Sequence, residues 1–172
     1  SLPLTGANSA ASLASKPVRF VLMDEVDKYP PRSGGGREAD PISLAKERTN
    51  TFSYNKKIFI TSTPTLKTGS IWKEWESCTR KLFYYLPCSH CGKYQRLRFH
   101  QIKFDKEGTK TQRAQTAYYE CPYCQGHITD ADKQKMLRQG KWMSEEEPEG
   151  VKPSRKKTGF AINAIYSPWL SL

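Results

Sequence analysis

Long hydrophobic runs are missing from this chain of 172 residues. No stretch of about 18 or more apolar residues occurs, so the sequence offers no membrane-crossing helix. Its opening residues do not read as a secretory leader, so none is expected, and no repeat of fixed period suggests a solenoid. Apolar residues make up only 37% of the chain. So small a share predicts a lean core, part of which needs some other fastening. Acidic residues are also short: 17 Asp and Glu stand against 28 Lys and Arg, a formal charge of +11. Such an excess speaks to partners and not to fold, and a polyanion such as nucleic acid is the natural one. A basic surface with no dedicated ligand is the competing reading. The chain opens on Ser1 and not on methionine, so a fragment of a longer protein is expected.

Five cysteines are present. With no leader they are expected in a reducing cytoplasm, where paired cysteines hold metal and do not form disulfides. Four of them form two matched pairs, Cys88-x-x-Cys91 and Cys121-x-x-Cys124. Two-residue spacing lets one tight turn present both sulfurs to one ion, and four such ligands make a closed, tetrahedral, structural zinc site. Two disulfides would need an oxidising compartment, and a redox CxxC usually stands alone. Gly92 and Gly126 are expected to give the two turns their backbone freedom. The segment 92–120 exceeds the usual ribbon spacing and predicts a long hairpin tip. His90 and His127 are expected to be solvated and not ligands, and Cys78 to be a small buried apolar residue. Lys93, Arg96 and Arg98, with His100 and Lys103 and interleaved with Tyr94 and Phe99, make a candidate nucleic-acid surface. A solvated ribbon face is the alternative.

The rest of the chain alternates strand and helix signals. Residues 18–23 are nearly continuously apolar and end in Asp24 and Glu25, the pattern of a buried parallel strand. Residues 28–40 form a loop with three consecutive glycines. Asp40 and Pro41 open a helix to about Arg48 or Asn50, as N-cap and first helical residue. Residues 56–61 predict a second strand. Ile71, Trp72 and Trp75 fit one face of a helix over 70–79. Residues 82–99 read as strand, tight turn, strand, and 117–129 repeat that pattern. The polar segment 105–116 reads as a loop or mobile hairpin. Thr129 starts a short helix to about Arg138. Residues 144–158 are expected to be exposed, and 159–166 to return to the core.

An apolar strand that carries acids to a sheet edge suits nucleotide chemistry. Asp24 would hold Mg²⁺ through water, and Glu25 would orient and deprotonate an attacking water. Chance produces such strings too. Thr61, Ser62 and Thr63 end the second strand with hydroxyls, which can sense a γ-phosphate; an ordinary hydroxyl turn is the plainer alternative. Arg32 and Arg37 lie in the loop after the first strand. They are candidates to reach a neighbouring subunit's phosphates, or are solvated loop arginines.

Taken in order, LMDEVDKYP, a helix ending in KERT, TSTPT and PCSHCGKYQRL resemble the lambda-type tailed-phage terminase large subunit family. The opening LTGANSAASLASKP and closing GFAINAIYSPW extend the resemblance over nearly the whole chain. It implies an ATPase that drives DNA into the procapsid, with ATP and Mg²⁺ as cofactors, and a C-terminal endonuclease that cuts the concatemer. Asp24 and Glu25 become the Walker B pair, and Ser62, Thr63 and Pro64 the coupling motif. The implied partners are double-stranded DNA, the small terminase subunit, the procapsid portal and further copies in a ring. The implied location is the cytoplasm of an infected or lysogenic bacterium. No G-x-x-x-x-G-K-[ST] occurs, and glycines 34–36 lack the Lys-Ser/Thr that would make them one. The P-loop is therefore expected upstream of Ser1 and the nuclease acids beyond Leu172, leaving the isolated chain inactive. The expected fold class is α/β: a partial P-loop (ASCE-type) parallel sheet over 1–80, an inserted antiparallel zinc ribbon over 81–130, and a return segment over 131–172. Two rivals remain, a zinc-ribbon nucleic-acid-binding module without ATPase activity and a superfamily-two helicase fragment.

Overall fold

The computed structural model describes residues 4–8, 16–32, 40–145 and 157–171. The chain divides into two units, Ser1–Ser77 and Cys78–Leu172. The expectations for glycines 34–36, Arg37 and most of 144–158 lie outside the described residues.

In the first unit, strand β1 (Phe20–Met23) pairs in parallel with β2 (Lys57–Ile60), Phe20 opposite Lys57 and Met23 opposite Ile60. Helix α1 (Pro41–Glu47) lies between them in the chain, as a parallel crossover requires. Its start follows the sequence: the Asp40 carboxylate accepts the Ser43 amide at 2.9 Å, and Pro41 occupies the first turn. Met23, Val26, Ile42 and Ala45 form the core, with Val21, Ile58, Ile60 and Ile71 packed against it. Ile71 belongs to α2 (Ser70–Glu76). The first strand was expected to be buried, in the manner of a parallel-sheet strand. Alternation instead leaves Phe20 50%, Leu22 68% and Phe59 58% exposed, because no described residue covers that face.

The second unit is built on β3 (Arg80–Pro87). One edge of β3 carries antiparallel β8 (Lys141–Met143); the other carries parallel β9 (Thr158–Ala161) and then antiparallel β4 (Tyr94–Arg96). A small antiparallel sheet follows, β5 (Ile102–Lys103), β6 (Tyr118–Glu120) and β7 (His127–Ile128). The segment expected to be a loop or mobile hairpin contains helix α3 (Lys110–Gln115), started by a reciprocal capping box between Thr109 and Gln112. The same device, Thr129 with Asp132, starts α4 (Asp130–Leu137) where the sequence placed it. The core joins Leu86, Leu97, Tyr119, Ile128, Met136, Ile165 and Tyr166 to two cysteines, Cys88 and Cys121. Cys78, expected to be buried, is half-buried.

Candidate functional site

Parallel strands end together, and in open α/β sheets the ligand crevice lies outside those carboxyl ends. Here β1 and β2 deliver Asp24, Glu25, Thr61 and Ser62 to one edge. The Thr61 amide donates to the Met23 carbonyl at 2.9 Å, and the Val26 amide to the Thr61 carbonyl at 3.4 Å. Asp24, Thr61 and Thr63 are exposed, whereas Glu25 and Ser62 are half-buried. Glu25 adopts a left-handed backbone, φ 55° and ψ 42°, and pairs with Lys28 at 3.2 Å. A non-glycine residue held there costs about 1–2 kcal/mol, a cost that concentrates at functional sites. Arg32 is exposed.

Sequence reasoning missed Asp27. Its Oδ1 accepts the Ile71 amide at 2.7 Å; its Oδ2 accepts the Thr65 amide at 3.0 Å and the Thr65 hydroxyl at 3.2 Å. Its own amide donates to Ser62 Oγ at 3.2 Å. One residue thus stitches the turn after β1 to the loop after β2 and to the start of α2. Gly69 permits this, since a Cβ there would lie 2.5 Å from Asp27 Oδ2. Burial pushes the Asp27 carboxyl up, but the amides of Ile71 and Thr65, the Thr65 hydroxyl and the Ser70 amide outweigh it and hold its pKa below the ordinary value. A depressed folded pKa contributes stability that is present above the unfolded value, about 4, and lost as pH falls through the folded one. Asp27→Asn should therefore cost about 2 kcal/mol at neutral pH, because one amide hydrogen faces another. In urea titrations the deficit should shrink at about pH 3. An equal deficit at both pH values would show that the carboxylate charge is not involved.

The second unit brings the four paired cysteines together, their sulfurs all within 4.8 Å of one another. Cys88 and Cys124 Sγ are 3.8 Å apart, Cys91 and Cys121 Sγ 4.0 Å. A disulfide needs about 2.05 Å. A tetrahedron with metal–sulfur bonds of about 2.3 Å has edges of about 3.8 Å, so the donor set fits one zinc ion. The two turns are built alike. The Cys88 amide donates to the Lys93 carbonyl, and the Gly92 amide back to Cys88; the Cys121 amide donates to Gly126, and the Gln125 amide back to Cys121. The fourth residue after each leading cysteine is left-handed: Gly92 at φ 70° and Gln125 at φ 58°. This corrects the expectation for Gly126, whose role is close approach: a Cβ there would lie 2.7 Å from His90 Cδ2. Both histidines are exposed, as expected, and neither belongs to the four-sulfur cluster. His90 Nε2–H donates to the His127 carbonyl at 2.8 Å, and the His127 ring stacks on Tyr118 at 3.9 Å.

Burial pushes the Cys88 thiol up to about 12. It pushes Cys121 up as well, but the amides of Cys124 and Tyr123 and the Cys88 thiol bring that group down to about 7. The basic residues beside the cysteines separate. Arg96 and Arg98 share Glu145, at 3.2 and 3.8 Å, while Lys93 lies over the Tyr123 ring at 5.3 Å. Glu145 was not foreseen, and no local signal marks it.

The profile of the family described as "Phage terminase large subunit gpA, ATPase domain" matches residues 1–142. No curated protein and no solved structure matches the chain. The match spans both the strand-end acids and all four paired cysteines, and with 142 of 172 residues covered the chain belongs to the phage terminase large subunit family, within its gpA ATPase domain.

Proposed function

We propose that this chain is the phosphate-sensing half of an ATP-driven motor that packages viral DNA. Asp24 and Glu25 are its Walker B carboxylates, and Thr61, Ser62 and Thr63 its coupling element. The observation that carries this reading is the juxtaposition of Asp24, Glu25 and Ser62 at the carboxyl ends of adjacent parallel strands, tied by Asp27, in a chain of this family. Bound Mg-ATP supplies the phosphoryl group and the charge that these residues face. Asp24 would hold the cation through water, Glu25 would take a proton from the attacking water, and Ser62 would report phosphate loss through the Asp27 amide to α2. Arg32 and Arg37 are candidate arginines for a neighbouring copy in the ring.

The apolar face of β1 and β2 left open by the described residues suits a sheet completed by other parts of the subunit, where the phosphate-cradling loop would lie. The cysteines form a zinc ribbon in this reading, a structural staple on a P-loop (ASCE-type) ATPase. Double-stranded DNA, the small subunit and the portal are its partners, and the subunit's endonuclease acids lie outside these residues. The helicase and plain zinc-ribbon readings are less suited to a family match that spans both acids and cysteines.

The test compares two samples. The complete large subunit should hydrolyse ATP faster when duplex DNA is present. Calorimetric titration of Mg-ATP into this chain alone should show no micromolar binding. A complete subunit with no DNA-stimulated turnover would sink the motor reading, and micromolar binding by the chain alone would overturn the division of labour.

A further inference from the structure

A cleft of about 320 Å³ opens in the second unit beside the cysteine turns, within the range of small-molecule sites. Gln95, Arg96, Arg98 and His100 line it together with Tyr85 and Tyr123. Gln95 is 2% exposed, and neither its amide nitrogen nor its amide oxygen has a hydrogen-bond partner among the described residues. A buried amide left unmatched costs about 1–3 kcal/mol, so turning the Gln95 side chain into the cleft it lines, where a ligand matches its donor and acceptor, relieves that cost.

The backbone beside this amide is held rigidly by side chains. Tyr119 Oη accepts the Arg98 amide and donates to the Arg96 carbonyl, each at 3.3 Å. The Leu97 amide donates to Tyr166 Oη at 2.7 Å, and Asn163 Nδ2 donates to the Leu97 carbonyl at 2.9 Å. Three side chains therefore fix the segment that carries both arginines, which lowers the ordering cost of any ligand they bind.

We propose that this cleft is a nucleotide site, taking one nucleotide of a nucleic-acid strand. The adjoining donor and acceptor of Gln95 match the N6 and N7 edge of adenine. Tyr123, 56% exposed, supplies a ring on which a base stacks. Arg98 and His100 face the phosphate. Glu145 holds the arginines in its place: one carboxylate spans two guanidiniums and also accepts the Tyr85 hydroxyl at 3.0 Å. A phosphate displaces it. Only the choice of DNA as a probe rests on the motor reading, and no nucleotide hydrolysis enters the test.

The experiment titrates the zinc-loaded chain with short single-stranded DNA of adenine or cytosine, with the same sequences as duplex, and with free dAMP. Adenine single strands should bind tightest. Gln95→Leu fills the same volume and removes the unmatched amide, so it should weaken binding about tenfold while unfolding no more easily than the parent chain. Glu145→Gln should tighten binding severalfold. Arg98→Ala should weaken it and flatten its salt dependence. Single strands bound far more tightly than dAMP identify the ligand as part of a strand; equal affinity identifies it as a free nucleotide. Binding to duplex alone, unchanged affinity in Gln95→Leu, or no binding of any probe at about 1 mM overturns the site.

Discussion

Stripping the metal from the folded protein with a strong chelator is expected to unfold the unit Cys78–Leu172. The four sulfurs are not an ornament on a finished core. Cys88 and Cys121 are themselves core residues, 4% and 0% exposed, packed with Leu86, Leu97 and Tyr119. Structural zinc contributes about 10–16 kcal/mol in small domains, which equals or exceeds the whole stability of an ordinary domain, about 5–15 kcal/mol. What chelation leaves behind is unfavourable. Four thiols would crowd within 4.8 Å, two of them cut off from water, with no ion to hold the two cysteine turns together. Loss of tyrosine near-ultraviolet dichroism and of amide protection at Leu97 and Cys121 should accompany loss of one zinc per chain. The ligands should not be equivalent: Cys121→Ser leaves a buried hydroxyl, whereas Cys124→Ser leaves an exposed one. Chelated protein that keeps its protected amides, with no metal left by elemental analysis, would remove the zinc site from the account of this fold.

Local chemistry was legible in the sequence and long-range chemistry was not. Asp40 with Pro41, and Thr129 with Asp132, announce helix starts within four residues, and both helices begin there. Thr109 with Gln112 is the same signal. There it is harder to read, because α3 has no buried residue and so no apolar stripe to accompany it. The four-cysteine cluster was legible because a metal site demands a fixed spacing. Gln125 was not, because glycine is the default left-handed residue and Gly126 stood next to it. Asp27 could not be separated from Asp24 and Glu25 by spacing, since the atoms that single it out belong to Ser62, Thr65 and Ile71, 35 to 44 residues away. The cleft was half visible. Arg96 and Arg98 were flagged by charge, but Glu145 and the clamp from Tyr119, Tyr166 and Asn163 come from other strands and turns.

In the complete subunit, Glu25→Gln should lower ATP turnover about 10²–10⁴-fold, the range removed with a positioned general base. Glutamine keeps the shape and an acceptor oxygen but cannot take the water's proton. Stability should hardly change. The ion pair with Lys28 is surface-exposed, 72% on the lysine side, and such pairs contribute about 0–1 kcal/mol. That separates Glu25 from Asp27, whose substitution should weaken the fold through its three amide contacts. Glu25→Gly sharpens the contrast. It relieves a left-handed backbone at φ 55° and should raise stability by up to about 1 kcal/mol while abolishing turnover. A residue that costs the fold energy and is needed for hydrolysis is held there for its chemistry. If Glu25→Gln turns over ATP within about tenfold of the parent subunit, the base lies elsewhere. Asp24 and Glu25 would then be only the acidic end of a strand.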